Sequence, residues 1–521
     1  MLCQRQDNAG AVPTPSPVVN PDASDAANFS DIQSQRCTTS VGCDNFDLNE
    51  LSGLLSRQNI QVHHTRGQLL PTNAQMHDRA APLPRLVVSP KNEGEVVQTL
   101  RAFKRLRLYG RIPLSVKSGG HGYFNGASCT GVMLNLSAMT GRRVDNNTLS
   151  LEPGCLLAGT IDALAKNQKA VPHGDCFGVG AGGHFLTAGW DLILARRFGL
   201  GCQSVVGGRI ALWDGTVLEV DDNHADLLYA MRGGAAAGVG VVTKIHLRVI
   251  DEPRRAAWRF TRIDKQQLAT CVKNNAFANS LGLPRDVSVS FRFHFDPDTT
   301  EPVCSFNIVS LLTAEETINV LETHLGQEVS RLVDDTSRWQ QKRLLDLRLI
   351  PASDRLKKDP TKLADVTQED LHSTPLDYWT ESSTKREMDR SYFTSISYWV
   401  RPNCEDMFNG LYHAFEQVPS RHPARERMYA LVILGGGRMN ELQDQCAMPL
   451  GEALARFELH WDDDAKERRW GERFTAKISE ILRSVEDPCP GRPYRGDVWI
   501  EGQDRDATLD AIFKTYDRRF V

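Results

Sequence analysis

Ser118-Gly119-Gly120-His121-Gly122-Tyr123 and Gly174-Asp175-Cys176-Phe177-Gly178-Val179-Gly180-Ala181-Gly182-Gly183-His184 decide how this chain is read. Each run sets a nucleophilic side chain, His121 or Cys176, among glycines. Glycine lets backbone N–H groups approach a ligand closely and line up as an anion-binding nest. A nest of that kind suits a pyrophosphate. Two nucleophiles, one per loop, suit a group that is attached covalently. The electropositive nest would also lower the Cys176 pKa and favour its thiolate. Gly178-x-Gly180-x-Gly182-Gly183 has the look of a dinucleotide fingerprint, but no βαβ unit of ~30 residues with a ribose-binding acid follows, which argues against a Rossmann fold.

Outward from these loops the chain alternates. Leu86-Val87-Val88 is predicted as a buried strand and Glu93 to Leu106 as an amphipathic helix, with Val96, Val97, Leu100, Phe103 and Leu106 on one face. Ile112 to Val116 is the strand that delivers the chain into the first glycine loop, and Val132 to Leu136 is the next. Gly159 to Lys169 is helical. The α/β layer runs on to the strand Gly240-Val241-Val242-Thr243, and the cluster Asp251-Glu252-Pro253-Arg254-Arg255 ends it. Beyond lies cleaner alternation. Val287, Val289, Phe291, Phe293 and Phe295 share one face of a strand and Ser288, Ser290, Arg292 and His294 the other. The segments 304–309, 395–400 and 428–434 can add strands, and 314–324 and 405–415 helices.

The fold class is therefore α+β. The expected organisation is a flexible segment over 1–45, a nucleotide-binding α/β domain over 83–250, a substrate domain with an antiparallel sheet covered by helices over 251–450, and a C-terminal segment over 451–521 returning to the first domain. Residues 46–60 suggest one short helix. Residues 327–390 are charged and poorly periodic and receive no assignment.

Composition excludes several classes. With 41% hydrophobic and 24% charged residues and a net charge of −4, the chain has no electrostatic reason to bind nucleic acid or an anionic membrane. No run approaches the ~18 apolar residues of a membrane span. Met1 to Asp7 contains no apolar stretch of signal-peptide type, so a cytoplasmic location is the default, and secretion the expectation if a leader precedes the sequence. Twelve cysteines without a CxxC pair give neither a dense disulfide framework nor a structural zinc site, and no metal is expected. Cys37 and Cys43 could close a small loop in an oxidising compartment. A monomer is expected.

The two glycine loops resemble the flavin-attachment loops of the berberine-bridge-enzyme-like oxidases, in the vanillyl-alcohol oxidase/PCMH superfamily. The resemblance extends over roughly 83–250 through Arg196-Arg197-Phe198-Gly199-Leu200, Trp213-Asp214-Gly215 and Asp226 to Gly234. It implies a PCMH-type two-part FAD-binding domain and bicovalent FAD, with His121 bonded to the 8α-methyl and Cys176 to C6. It implies cofactor contacts at Ser118, Gly119, Gly120, Gly122, Tyr123, Gly178, Val179, Gly180, Gly182, Gly183, His184, Gly240, Val241 and Val242. Val179 stands where valine accompanies oxidase rather than dehydrogenase behaviour. The reaction implied is hydride transfer from an alcohol or amine carbon of a small-molecule substrate to flavin N5, with O2 reduced to hydrogen peroxide. A bulky secondary-metabolite intermediate is the first substrate class and a sugar or oligosaccharide the second; a non-redox cyclase or silent scaffold is the third reading.

The chain also departs from the family. The C-terminal Tyr-x-Asn is absent, the nearest match being Trp499-Ile500-Glu501-Gly502-Gln503-Asp504. Thr187-Ala188-Gly189-Trp190-Asp191 replaces a common triple glycine. Glu501 and Tyr398 are the candidates for the missing base, because a carboxylate over an apolar face has a raised pKa and Tyr398 falls on a predicted substrate-domain strand.

Overall fold

The computed structural model describes residues 41–520 except 66–69, 77, 123–125, 175–177, 192, 297–298, 345–391, 402–403, 462–464 and 488–506. Its strands, in chain order, begin with β1 (Gln61–His64), β2 (Leu86–Ser89), β3 (Leu114–Lys117) and β4 (Val132–Asn135). These form a sheet ordered β1-β2-β4-β3, in which β2–β4 and β3–β4 are parallel. The helix Glu93–Arg105 connects β2 to the next strand. Asn92 caps it by accepting from the Glu95 N–H, worth about 1 kcal/mol, and Val96, Leu100 and Phe103 bury one face. β2 and β4 are buried on both faces and have continuous apolar runs, as parallel strands do.

A second, antiparallel sheet follows. Its strands are β5 (Arg142–Asp145), β6 (Thr148–Leu151), β8 (Val205–Leu212), β9 (Val217–Val220) and β10 (Gly240–Arg248), ordered β5-β6-β10-β8-β9. A short pair, β7 (Lys169–Ala170) with β11 (Ile250–Asp251), closes this part. Between β7 and β8 the chain makes the second glycine loop and the helices Ala181–Thr187 and Ala195–Phe198.

The remaining strands build one seven-stranded antiparallel sheet: β12 (Ala256–Ile263), β13 (Val287–Phe295), β14 (Pro302–Ser310), β15 (Gln340–Lys342), β16 (Tyr392–Val400), β17 (Met428–Leu434) and β18 (Ala453–Trp461), ordered β15-β12-β14-β13-β17-β18-β16. One face is apolar and carries the helices. Val287, Val289, Phe291 and Phe293 lie in one core with Phe408, Leu411 and Phe415 of the helix Glu405–Glu416 and with Phe474 and Ile478 of the helix Ala465–Arg483. The alternation of β13 is thus realised as one apolar and one polar face, and the fold is α+β.

Three elements bear on the expected segment bounds. The first helix starts at Val41, inside the stretch read as flexible, and runs to Arg57. β18 and the helix Ala465–Arg483 complete the seven-stranded sheet, so a boundary at 450 would cut through it. Among the described residues after 461, the helix Ala507–Tyr516 packs back, through Leu509 and Ile512, on Leu227, Leu228 and Ala230 beside the second sheet. The reason is that β18 pairs with strands on both sides, and an unpaired central strand would leave two rows of buried backbone groups unsatisfied. Cys37 lies outside the described residues. No helix among the described residues is long and apolar enough to cross a membrane.

Candidate functional site

The first half of the site is made of backbone. β3 leads straight into Ser118-Gly119-Gly120, and the second glycine loop is pressed against it. A Cβ on Gly119 would stand 2.4 Å from the Gly180 nitrogen, and one on Gly180 would stand 2.2 Å from the Gly119 nitrogen. Real side chains cannot come so close, so both positions must be glycine for the loops to touch. A Cβ on Gly182 would stand 3.0 Å from Pro153 and 3.2 Å from the Ser118 side chain, a tight but looser fit, and the Ser118 hydroxyl donates to the Pro153 carbonyl. Gly120 adopts φ 76°, a left-handed conformation that suits glycine. A Cβ on Gly183, by contrast, would meet nothing within 4 Å among the described residues, and Gly183 is exposed: the face of the cradle they form is open there.

His184 stands next to that opening, on the helix Ala181–Thr187, and its charge would feel that of His121. Its Nε2 accepts from the Gly174 N–H at 3.1 Å, which leaves Nδ1 as the protonated nitrogen of the neutral ring. The ring is half-buried in surface but closely surrounded by protein atoms. Burial holds its pKa down at about 4 against the opposing pull of the Asp191 carboxylate, with His121 adding to the depression. Asp191 is itself buried and pins the loop: it accepts from the His173 N–H at 2.9 Å and from the N–H groups of Ile193 and Leu194 at 2.7 and 2.8 Å. Lys117, at the end of β3, is 2% exposed. Its ammonium donates to the carbonyls of Asn73 and Ser118 at 2.8 and 3.1 Å, and burial lowers its pKa to about 8. Asp191 and Lys117 escaped the sequence reading. Their role is to fix loop backbone, which no spacing announces.

The second half is the polar face of the seven-stranded sheet. One end of it abuts the chain that follows His184. Trp399 and Leu454 pack with Ala188, Leu200 and Cys202, and the Trp190 and Trp399 rings lie 5.7 Å apart. Trp258 and Val309 pack on Ile193 and Leu194. Arg196, 2% exposed, ties the two parts by donating to the carbonyls of Gly435 at 2.7 Å and Leu283 at 2.8 Å.

Two and four residues along from Leu454, on the same face, come Arg456 and Glu458, roughly 7 and 13 Å away by strand rise. Glu458 is 3% exposed, forms an ion pair with Arg456, and accepts from the Tyr429 hydroxyl at 2.5 Å across the β17–β18 register. Burial alone would raise the Glu458 pKa, but the Arg456 guanidinium and the hydrogen bonds of His460 and Tyr429 prevail and hold it at about 2. Burial pushes the Tyr429 phenol above its ordinary value, and the Glu458 charge pushes the same way. The Arg292 guanidinium covers the Tyr429 ring at 4.5 Å. The arrangement is a neutral phenol donating to an ionised carboxylate, flanked by two cations.

The predicted residues are distributed unevenly over these two halves. Ser118, Gly119, Gly120, His121, Gly178, Gly180, Gly182, Gly183 and His184 come together in the cradle. Gly122 follows His121 and is half-buried. The Val179 carbonyl accepts from the Leu157 N–H. Gly240 begins β10 against the Ala211 carbonyl, where a Cβ would clash at 2.1 Å, and Val241 and Val242 are buried in that strand. Tyr123, Cys176 and Glu501 lie outside the described residues. Tyr398 pairs with Ala455 and therefore projects to the helix-bearing side, where its hydroxyl meets Ser479 at 2.7 Å and Arg483 Nε donates to it at 3.1 Å. The strand was read correctly as a strand, but alternation places its tyrosine on the core face; the polar face carries Tyr429. A cavity of about 410 Å³ lined by Cys271, Phe277, Phe291 and Phe408 is also on the helix side, away from both halves of the site.

A cradle of interlocked glycines with an open face fits a dinucleotide whose phosphates take backbone N–H groups. Residues 84–221 match the FAD binding domain family. The chain is 38% identical over 134 residues to the FAD-dependent monooxygenase sdcF of Emericella nidulans, covering 25% of this chain and 28% of that protein. It is 31% identical over 181 residues to Berberine bridge enzyme-like 22 of Arabidopsis thaliana, covering 33% of each. It is 31% identical over 148 residues to the glucooligosaccharide oxidase of Sarocladium strictum, covering 27% and 29%. Each match thus spans no more than 33% of the relative's own length. The solved structure of BBE-like 1 from Physcomitrella patens shares the fold over 90% of this chain and 96% of that one, with a TM-score of 0.71 and 17% identity. The chain therefore carries an FAD binding domain, and its resemblance to the berberine-bridge-enzyme-like flavoproteins holds in sequence over that domain and in fold over most of its length.

Proposed function

We propose that this chain is an FAD-dependent oxidase in which the flavin is held covalently by His121 and Cys176, and that it oxidises an alcohol or amine carbon of a bulky small molecule. The observation that carries the reading is the interlock of Gly119 with Gly180, which brings the His121 loop and the loop after Cys176 to one place. Residues 83–250 would hold the cofactor and the polar face of the sheet would meet the substrate. FAD, when bound, supplies the two-electron acceptor that is reoxidised by O2, so the net change is alcohol plus O2 to carbonyl plus hydrogen peroxide.

The chain's own residues bind and orient. His184, neutral and locked by the Gly174 N–H, is a hydrogen-bond donor through Nδ1. Tyr429, donating its own proton in a hydrogen bond to Glu458, offers its oxygen as an acceptor that orients the substrate hydroxyl. Arg456 offsets the Glu458 charge and Arg292 covers the Tyr429 ring, which holds the pair in this arrangement. Strongly perturbed titratable groups cluster at functional sites, and the depressed Glu458 beside the raised Tyr429 marks this face as a candidate.

Acid precipitation of the purified protein tests the attachment. Yellow, fluorescent flavin is expected in the pellet of the wild type and of His121→Ala and Cys176→Ala singly, and only in the supernatant for the double variant. A colourless wild-type pellet from folded, FAD-supplied protein would refute covalent attachment. Peroxide release with a panel of alcohols, amines and oligosaccharides tests the chemistry and separates the small-molecule class from the sugar class.

A further inference from the structure

Two buried thiols lie together where the two halves of the site join. Cys202 opens a short turn after Leu200, and Cys446 closes the turn Gln443–Gln445 that leads into β18. They are 0% and 3% exposed, and their Sγ atoms are 3.6 Å apart although 244 residues separate them. Their neighbours are apolar: Ala188, Trp399, Met448 and Leu454.

The approach is enforced from both sides of the pair. Next to Cys202, the Gln203 amide donates to the Met439 carbonyl at 2.8 Å. Next to Cys446, the Ala447 N–H donates to the Arg232 carbonyl at 2.8 Å. Cys202 itself donates from its backbone to Ala188 at 3.1 Å. The thiols are therefore held at contact by bonds that do not involve them. Closing the gap to a bond of about 2.05 Å requires side-chain torsion over roughly 1.5 Å.

We propose that Cys202 and Cys446 are a disulfide-forming pair that staples the segment after His184 to the strand bearing Arg456 and Glu458. The inference stands on this geometry and is independent of the oxidase reading. The chemistry is thiol–disulfide exchange with a low-molecular-weight disulfide. One thiolate attacks and forms a mixed disulfide, the second displaces the small thiol, and two protein thiols plus one small disulfide become one protein disulfide plus two small thiols. Burial raises the Cys202 thiol well above its ordinary pKa, so exchange in the folded protein is slow and takes hours rather than minutes.

The test is cysteine mapping of the full-length holoprotein after long incubation with oxidised glutathione, followed by alkylation in denaturant and proteolysis without reductant. The expected product is one cross-linked peptide containing Cys202 and Cys446, two hydrogen masses lighter than the separate peptides. It disappears in Cys446→Ala and in Cys202→Ala, and reduction lowers the wild-type melting temperature by about 5 °C. Recovery of both residues as alkylated thiols from protein so treated would overturn the proposal, as would pairing of either with another cysteine. The wild-type map decides this even if a variant does not fold.

Discussion

The glycine cradle and the polar face of the seven-stranded sheet are built from opposite materials. In the cradle the working surface is backbone. Gly119 and Gly180 meet where no Cβ fits, and the side chains that matter, Asp191 and Lys117, point inward to hold loops in place. On the sheet the backbone is ordinary ladder, and every distinctive contact is a side chain: Tyr429 on Glu458, Arg456 beside it, Arg292 over the ring. A cradle of backbone suits a cofactor of fixed shape. A face of side chains can be exchanged residue by residue without disturbing the ladder, so it suits whatever varies between relatives that share the fold. The same division separates what breaks folding from what breaks turnover.

The largest effect is expected at the interlock. Gly180→Ala would place a methyl within 2.2 Å of the Gly119 nitrogen, a contact that neither loop can relieve by changing a rotamer. Overpacking against backbone costs on the order of 3 kcal/mol or more, so soluble protein and bound flavin should both fall steeply. Gly183→Ala is the control on the same turn: nothing lies within 4 Å of its Cβ, and it should express and melt like the wild type. Soluble yield and melting temperature compare the two. Equal yields from both variants would contradict the interlock.

On the sheet, Tyr429→Phe removes a hydroxyl that donates to the buried Glu458 carboxylate; it should leave flavin content unchanged and lower the melting temperature by a few degrees. Turnover should drop by about 10²-fold, as loss of a group that orients the substrate does. Glu458→Gln should slow turnover as well, and it should also destabilise, because it leaves Arg456 without its buried carboxylate. A Tyr429→Phe enzyme with wild-type kcat would show that Tyr429 does not orient the substrate and leave the role of the polar face open to another residue on it.

How much of this was legible in the sequence follows from the same contrast. The cradle is encoded in two contiguous runs, because a backbone surface demands glycine at successive positions; His121 and His184 could be picked out at once. Tyr429, Glu458 and Arg456 become neighbours only when β17 pairs with β18 in one register, and nothing in Met428–Leu434 or Ala453–Trp461 alone fixes that pairing. Tyr398 illustrates the hazard. Its strand is real, but the parity of a nine-residue strand cannot be assigned from one tyrosine, and a slip of one residue exchanges the faces. β13 was readable because five apolar residues alternate with four polar ones without a break. The final sheet strand was missed because Ala453, Ala455 and Arg456 dilute the alternation that its pairing makes plain.

Acid titration sharpens the comparison with the smallest effects. The folded pKa of His184, at about 4, lies below the ordinary 6.5. Between those values the unfolded chain binds a proton that the folded chain does not, so stability falls as pH drops from about 6.5 to 4 and then levels. Glu458 behaves differently. Its folded pKa of about 2 against an ordinary 4.5 means that its contribution is intact above 4.5 and is lost as pH falls toward 2. His294, on the polar face and also held down at about 4 by burial, shares the upper window. His184→Gln keeps an acceptor for the Gly174 N–H but cannot be protonated, so it should flatten part of the decline between pH 6.5 and 4 and leave the decline below 4.5 unchanged. Glu458→Gln should do the reverse. Denaturant midpoints measured across pH 2.5 to 7 separate the two windows, and a His184→Gln curve parallel to the wild type over the upper one would show that His184 is not held neutral by the fold.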